Sequence, residues 1–520
     1  MPTMPEKKSY WAWAAVNPDH VSIVEPDGAQ HRAKDVLTRC NQLVHGLRAL
    51  GLRRGDCFAV VLPNGAPFLE LYLAALQGGF YMTPINHHLT APEIAYILGD
   101  CEAKALIAHE RFAPAARGAV EEIGFPADAR FAIGSVPGFR PFAELRAGQP
   151  ESAPPDRAAG SVMFYTSGTT GRPKGVRRGL APLDPDTVAS LFSAFPQMFG
   201  ITPADDNVHL CGSPLYHTAV LTFASCSLHL GHSVVVMDRW TPEGCLEAIQ
   251  KYRVTTSHMV PTQFHRMLAL PDAVRTKYDV SSLRHMIHAA APCPIETKQK
   301  MLAWWGPVID EYYAATEGGG TLVGPEEWKK KPGTVGRAWP GSAIRILDDE
   351  GKELPPGTPG TVYMALGAAA FEYHKDKQKT EASRRDGFFT VGDVGYLDPD
   401  GYLFLCDRKN DMIISGGVNI YPAEIEAALL QHPKVADAAV FGIPDADWGE
   451  QVKAVLEVTE GATPGPALAN EILAFCADRL AKYKTPKTID FVDALPRDPN
   501  GKLYKRKLRD PYWQGRERAI

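Results

Sequence analysis

The chain has 520 residues, of which 45% are hydrophobic and 22% charged, an ordinary globular balance in a length that calls for two or more domains. A formal net charge of −5 gives no basis for a nucleic-acid or anionic-membrane partner. The nine cysteines form no C-x-x-C pair, which argues against a structural zinc site or a disulfide framework, and no apolar run reaches the roughly 18 residues that span a bilayer.

The first stretch, MPTMPEKKSYWAW, has no apolar core followed by a small-residue cleavage site, so a cytoplasmic protein is expected. CFAVVLP (57–63) reads as a strand and FLELYLAAL (68–76) as a helix. Thr90 and Glu93 form a capping-box pattern ahead of a helix, and KALIA (104–108) returns as a strand. SVMF (161–164), HSVVVMD (232–238) and TTSHMV (255–260) read as further strands, and Thr241-Pro242 opens a helix between the last two. This alternation predicts α/β architecture with largely parallel sheets. From about residue 343, two alternating strands joined by a Pro/Gly turn mark a β-rich subdomain. Beyond 410, helices at 422–430 and in ALANEILAFCADRL mix with strands VADAAVFGI, VKAVLEV and KTIDFVD in a small α+β unit. The expected division is a large N-terminal domain of several subdomains, 1–409, and a small mobile C-terminal domain, 410–520.

One loop carries chemistry. YTSGTTGRPKG (165–175) leaves a strand through hydroxyls and glycines and ends on a lysine. Converging N–H groups, hydroxyl donors and one cation suit a bound polyphosphate. It is not a Walker loop: counting from Gly168, Pro173 stands where the second glycine belongs, and Gly175 follows the lysine.

TSGTTGRPKG resembles the phosphate-binding signature of the adenylate-forming superfamily, which includes AMP-dependent acyl-CoA synthetases. Further signatures follow in order: SPLYHT (213–218), HAAAP (288–292), EYYAATEG (311–318), KPGTVGR (331–337), FFTVGDVGYLD (388–398), DRKNDMIISGGVNIYPAEIE (407–426) and LPRDPNGKLYKR (495–506). The resemblance implies that Thr166, Ser167, Gly168, Thr169, Thr170, Gly171 and Lys174 bind the phosphates of ATP. Ala290 and Ala291 contact adenine, Tyr313 packs on it, and Tyr312, Ala314 and Ala315 complete that wall. Thr316 meets the phosphate and Glu317 helps to hold Mg²⁺. Asp393 accepts from the ribose hydroxyls, Arg408 contacts the ribose, and Lys502 bridges the substrate carboxylate and the α-phosphate. Thr166, His217, Glu317 and Lys502 form the implied catalytic set. Ser415, Gly416 and Gly417 line the way for coenzyme A, and Asn410 is the hinge. Three positions depart from the pattern: Ala314 for glycine, Val391 for threonine, and Asn410 for Asp or Lys.

The activity implied is ATP-dependent ligation of a carboxylic acid to CoA through an acyl-adenylate, with ATP, Mg²⁺ and CoA required. Residues 211–230 contain no Asp or Glu, which argues against an α-amino acid, whose ammonium would lack a counter-charge. No carrier domain follows residue 520, which favours a free-standing ligase. His217, Thr218, Ala219, Val220, Phe223, Ala289, Gly318 and Gly319 are the expected acyl pocket, and three successive glycines at 318–320 are expected to leave room for a bulky hydrophobic, polycyclic or aryl acid. Two alternatives stay open: an acyl-AMP ligase loading a carrier protein, and a non-catalytic nucleotide-binding relative. The sequence also leaves a homodimer open.

Overall fold

Runs such as Cys57–Val61, buried at every position, lack polar alternation because parallel strands covered on both faces have no solvent side. The computed structural model describes residues 5–166, 173–203, 206–367, 371–497 and 503–514. Within them, Cys57–Val61 is central in a six-stranded sheet, flanked by Tyr81–Pro84 and Ala103–His109, all parallel. A nine-stranded sheet has a parallel centre made of Val21–Val24, Ser233–Val236, Val208–Cys211, Thr256–Met259, His285–His288 and Ile309–Ala314. Its two ends are antiparallel.

Helices Ala66–Gly78 and Thr218–His229 lie between these sheets, in a core that joins Phe58 and Phe131 of one to Ile23, Val234 and Val236 of the other. The first is apolar almost all round, as a helix buried on every side must be. Its one carboxylate, Glu70, is held by Arg39 at 2.6 Å. Helix starts follow the expected chemistry. The Glu93 carboxylate accepts the Thr90 N–H at 2.8 Å, and Thr241 Oγ1 accepts the Gly244 N–H at 3.2 Å.

Two differences matter for the site. The run 161–164 is not one strand: Ser161–Val162 closes the six-stranded sheet, and Phe164–Thr166 enters a separate three-stranded sheet with Lys174–Arg178 and Phe371–Tyr373. The chain changes sheets at Met163, between Ser161–Val162 and Phe164–Thr166. The β-rich part holds Ser342–Leu347, Gly360–Leu366, Asp393–Leu397 and Leu403–Arg408. The C-terminal part builds its own core from the hairpin Val435–Asp445/Gly449–Val458 and helices Pro422–Leu429 and Pro466–Ala477. Asn410 sits in the turn between Leu403–Arg408 and Ile413–Ser415, where its carbonyl accepts from Arg509 Nη1 at 3.0 Å, and it is not among the residues with positive φ. No helix among the described residues is long and apolar enough to cross a membrane.

Candidate active site

Strand Ile309–Ala314 delivers the key segment. Side chains alternate across a strand, so Tyr312 and Tyr313 part company. Tyr313 donates to Asp393 Oδ2 at 2.6 Å, and burial together with that carboxylate pushes its hydroxyl well above the usual range, keeping it a proton donor. Tyr312 turns the other way, 5.5 Å from the Phe195 ring. Tyr312 therefore walls the apolar chamber rather than the nucleotide side expected of it.

Beyond the strand, Thr316 Oγ1 is 3.3 Å from Thr218 Oγ1, and the Thr316 carbonyl accepts from Arg178 Nη2 at 2.8 Å. Glu317 is buried, and its Oε1 accepts from the Tyr373 hydroxyl at 2.8 Å. Among the described residues no group of three or more His, Cys, Asp or Glu side chains could form a metal cage. One carboxylate whose second oxygen takes no hydrogen bond from the described residues fits an ion such as Mg²⁺, which takes one or two carboxylates and fills its shell with phosphate oxygens and water.

The glycines at 318–320 all have positive φ. They reverse the chain tightly instead of opening space: a Cβ on Gly320 would lie 2.1 Å from the Tyr313 carbonyl oxygen and 2.6 Å from the Trp339 ring. Gly318 and Gly319 do line the cavity.

Asp393 and Arg408 face each other across an antiparallel pair, with Arg408 Nε 3.5 Å from Asp393 Oδ1. Tyr313 occupies one of the carboxylate's roughly four acceptor positions, which leaves capacity for a diol. At the end of strand His285–His288, Ala290 has a φ of 73°, a conformation that costs an L-residue about 1 kcal/mol or more. Behind it Lys298 Nζ lies 2.6 Å from Glu311 Oε2, with His288 Nε2 at 3.4 Å from the same oxygen. Burial alone would raise the Glu311 carboxyl, but Lys298 and His288 outweigh it and hold it down at about 2.

A cavity of about 2450 Å³ gathers these groups. Thr166, Ala290, Ala291, Tyr312, Tyr313, Ala314, Ala315, Thr316, Glu317, Asp393 and Arg408 line it, as do His217, Thr218, Ala219 and Ala289. His217 stands at the N-cap of helix Thr218–His229, 4.5 Å ring to ring from Tyr216. Val220 and Phe223 do not line the cavity. The 3.6-residue turn aims Thr218, Leu221 and Thr222 at it, while Val220 packs between the sheets and Phe223 stacks at 5.3 Å on His258. Burial pushes His258 down to about 3, so a neutral ring backs the chamber. Phe195, Met198, Trp339 and Leu366 complete its wall.

Lys174 does not line the cavity either. Its ammonium is held by Asp376 Oδ2 at 2.7 Å. Ser167, Gly168, Thr169, Thr170, Gly171 and Lys502 lie outside the described residues. On the C-terminal side the cavity meets Tyr504, Lys505 and Arg497; Lys505 pairs with Glu426 at 2.9 Å and Arg497 with Asp437 at 2.5 Å. His265 Nε2 lies 2.8 Å from the Ala436 carbonyl oxygen, a contact across the two parts. Ser415, Gly416 and Gly417 are not on the cavity wall. Gly416 and Gly417 form the turn of the hairpin Ile413–Ser415/Val418–Ile420 at φ 58° and 79°, with Trp448 packed over Gly416. Tyr373, Asp376, Lys379 and Arg178 reach the site region without any signature that singles them out in the sequence.

The family models for the AMP-binding enzyme and for the AMP-binding enzyme C-terminal domain match residues 10–373 and 424–502. The chain belongs to the AMP-binding enzyme family. It is thus an enzyme of the adenylate-forming superfamily, akin to the acyl-CoA synthetases. The fatty acid–[acyl-carrier-protein] ligase ScoC of Streptomyces coeruleorubidus is 33% identical over 498 residues, 92% of this chain and 91% of that one. The long-chain-fatty-acid–CoA ligase FadD13 of Mycobacterium tuberculosis is 32% identical over 505 residues, 96% and 97% of the two chains. Among solved structures, the anthranilate CoA ligase AuaEII in complex with anthranoyl-AMP superposes with a TM-score of 0.85 at 26% identity, over 98% of each chain. AMP-binding enzymes of this architecture therefore share both the large, mostly parallel domain and the smaller C-terminal one.

Proposed function

We propose that this AMP-binding enzyme is an ATP-dependent carboxylic acid:CoA ligase, AMP-forming, acting on a bulky hydrophobic or aryl acid. The observation that carries the reading is one cavity with two chemically distinct ends. Glu317, Thr316, Asp393 and Tyr313 stand at the polar end, and Phe195, Met198, Tyr312 and Trp339 at the apolar end.

In the first half-reaction an oxygen of the substrate carboxylate forms a bond to the α-phosphorus of ATP. The bond from that phosphorus to the bridging oxygen breaks, and pyrophosphate leaves with its electron pair. Two anions must approach, so cations and oriented donors govern the barrier. Glu317 would hold Mg²⁺, which supplies charge neutralisation on the phosphate oxygens. Thr316 and Thr166 offer hydroxyls, Tyr313 packs on adenine while its hydroxyl holds Asp393, Asp393 orients the ribose, and Lys502 is assigned to the reacting carboxylate. In the second half-reaction a thiolate attacks the acyl carbon and AMP departs. Ser415–Gly417 would reach the cavity for this step by rotation about Asn410, a gating motion of the C-terminal domain 410–520.

Pyrophosphate release measured over short fatty, aromatic and polycyclic acids, with CoA present, tests the reading. Turnover is expected with bulky apolar acids, and preference for acetate would end it. Loading of a carrier protein is the second reading, favoured by the likeness to ScoC. Thioester formed on a phosphopantetheinyl carrier but not on CoA would select it. A non-catalytic nucleotide binder is disfavoured by the joint presence of Thr166, Glu317, Asp393, Arg408 and Lys502.

A further inference from the structure

Strand Phe371–Tyr373 pairs with Lys174–Arg178, so the segment that follows runs beside the point where the hydroxyl-rich loop re-enters the sheet. Its lysines differ in their surroundings. Lys375 pairs with Glu102 at 3.1 Å and Lys377 with Glu381 at 3.7 Å. Lys379 lines the cavity, its Nζ 4.7 Å from the centre of the Tyr373 ring, with no carboxylate among the described residues at ion-pair distance. The hydroxyl of that same tyrosine holds Glu317.

One carboxylate organises the local cations. Asp376 Oδ2 takes Lys174 Nζ at 2.7 Å, and Oδ1 takes the backbone N–H of Lys379 at 3.0 Å. Burial and the nearby Lys174 push the Lys379 ammonium below its ordinary value, the direction of a cation not yet neutralised. Asp376 and Glu317 act on it in the opposite sense, but a half-buried ammonium that no described carboxylate meets at ion-pair distance still gains from an anion that arrives.

We propose that Lys379 contacts the β- and γ-phosphates of bound ATP, and hence the leaving pyrophosphate, with Asp376 as the residue that positions it. The inference rests on the adenylate-forming reading above. AMP lacks these phosphates, so Lys379 separates ATP from AMP, whereas Tyr313 and Asp393 are assigned to the adenine and ribose common to both.

Calorimetric binding of ATP, AMP and inorganic pyrophosphate to the full-length enzyme, in Mg²⁺ buffer, tests it. Lys379→Ala is expected to weaken ATP and pyrophosphate binding roughly ten- to hundredfold, the loss of a charge-assisted hydrogen bond, with AMP held within about twofold. Lys379→Arg should retain most of the affinity. Wild-type ATP affinity in Lys379→Ala overturns the proposal. Should Lys379→Ala also lose AMP, Lys379→Gln is measured in the same way, and equal loss of ATP and AMP there overturns it too. Failure of the wild-type enzyme to bind ATP at all would bring down the functional reading instead.

Discussion

The Tyr373 hydroxyl donates to Glu317 Oε1 at 2.8 Å across 56 positions of sequence. It fixes one oxygen of the carboxylate assigned to the metal, so the other is presented in a set direction. Tyr373→Phe should lower the rate of adenylate formation roughly tenfold, as the loss of one hydrogen bond to a charged group does, with the melting temperature little changed. Pyrophosphate exchange at saturating ATP measures it, and a wild-type rate would remove Tyr373 from the site.

Glu317→Gln keeps the shape and the tyrosine's acceptor but discards the charge. Acid-dependent pyrophosphate exchange should fall by roughly 10²–10³, the scale of losing one electrostatic stabiliser, while AMP still binds. Undiminished exchange would show that the metal is held elsewhere.

Asp393 and Tyr313 make the complementary case. Asp393→Asn or Tyr313→Phe should weaken ATP and AMP alike, each by roughly tenfold, because the ribose that Asp393 meets belongs to both and the Tyr313 hydroxyl holds Asp393 in place. Selective loss of ATP alone would contradict the assignment.

These residues differ in how openly the sequence displays them. Thr316, Glu317 and Asp393 sit in short signatures, and the strands at 57–61 and 103–109 are legible as short apolar stretches alternating with helices. Asp376 and Lys379 were not, since they meet the loop only through the pairing of 371–373 with 174–178, and the Lys174–Asp376 contact spans 202 positions. The sequence offered Thr218, Ala219, Val220 and Phe223 as pocket residues, but the rotation of helix Thr218–His229 is set by tertiary packing, which sends Val220 and Phe223 into the core. The three glycines pointed to space because composition does not reveal that Tyr313 and Trp339 close over Gly320.

Glu311 links the site to pH. Its folded-state carboxyl is depressed to about 2, below an unfolded value of about 4.3. The stability it contributes is therefore fully present above that unfolded value and is lost as the pH falls from there through about 2. Glu311→Gln should flatten that part of the stability curve. Lys298→Met, which strands a buried carboxylate, should destabilise by roughly 3–5 kcal/mol at pH 7. Urea unfolding of the three proteins between pH 7 and pH 3 checks both, and parallel curves for wild type and Glu311→Gln would refute the coupling.

Thr222 faces the chamber from helix Thr218–His229. Thr222→Phe should cut turnover of bulky aryl acids and spare short ones, because the added ring takes up space in the cavity, and overfilling a packed apolar site costs roughly 1–3 kcal/mol. Initial rates over an acid series measure the shift, and an unchanged profile would place the acyl group elsewhere.

The central claim is that the polar end of this cavity joins an organic acid to AMP. Its most direct test is exchange of labelled pyrophosphate into ATP by the purified protein, with and without a panel of carboxylic acids. The account predicts exchange that depends on the acid and on Mg²⁺ and is strongest for bulky apolar acids. Exchange that ignores the acid, or release of ADP and phosphate in place of AMP and pyrophosphate, would contradict it.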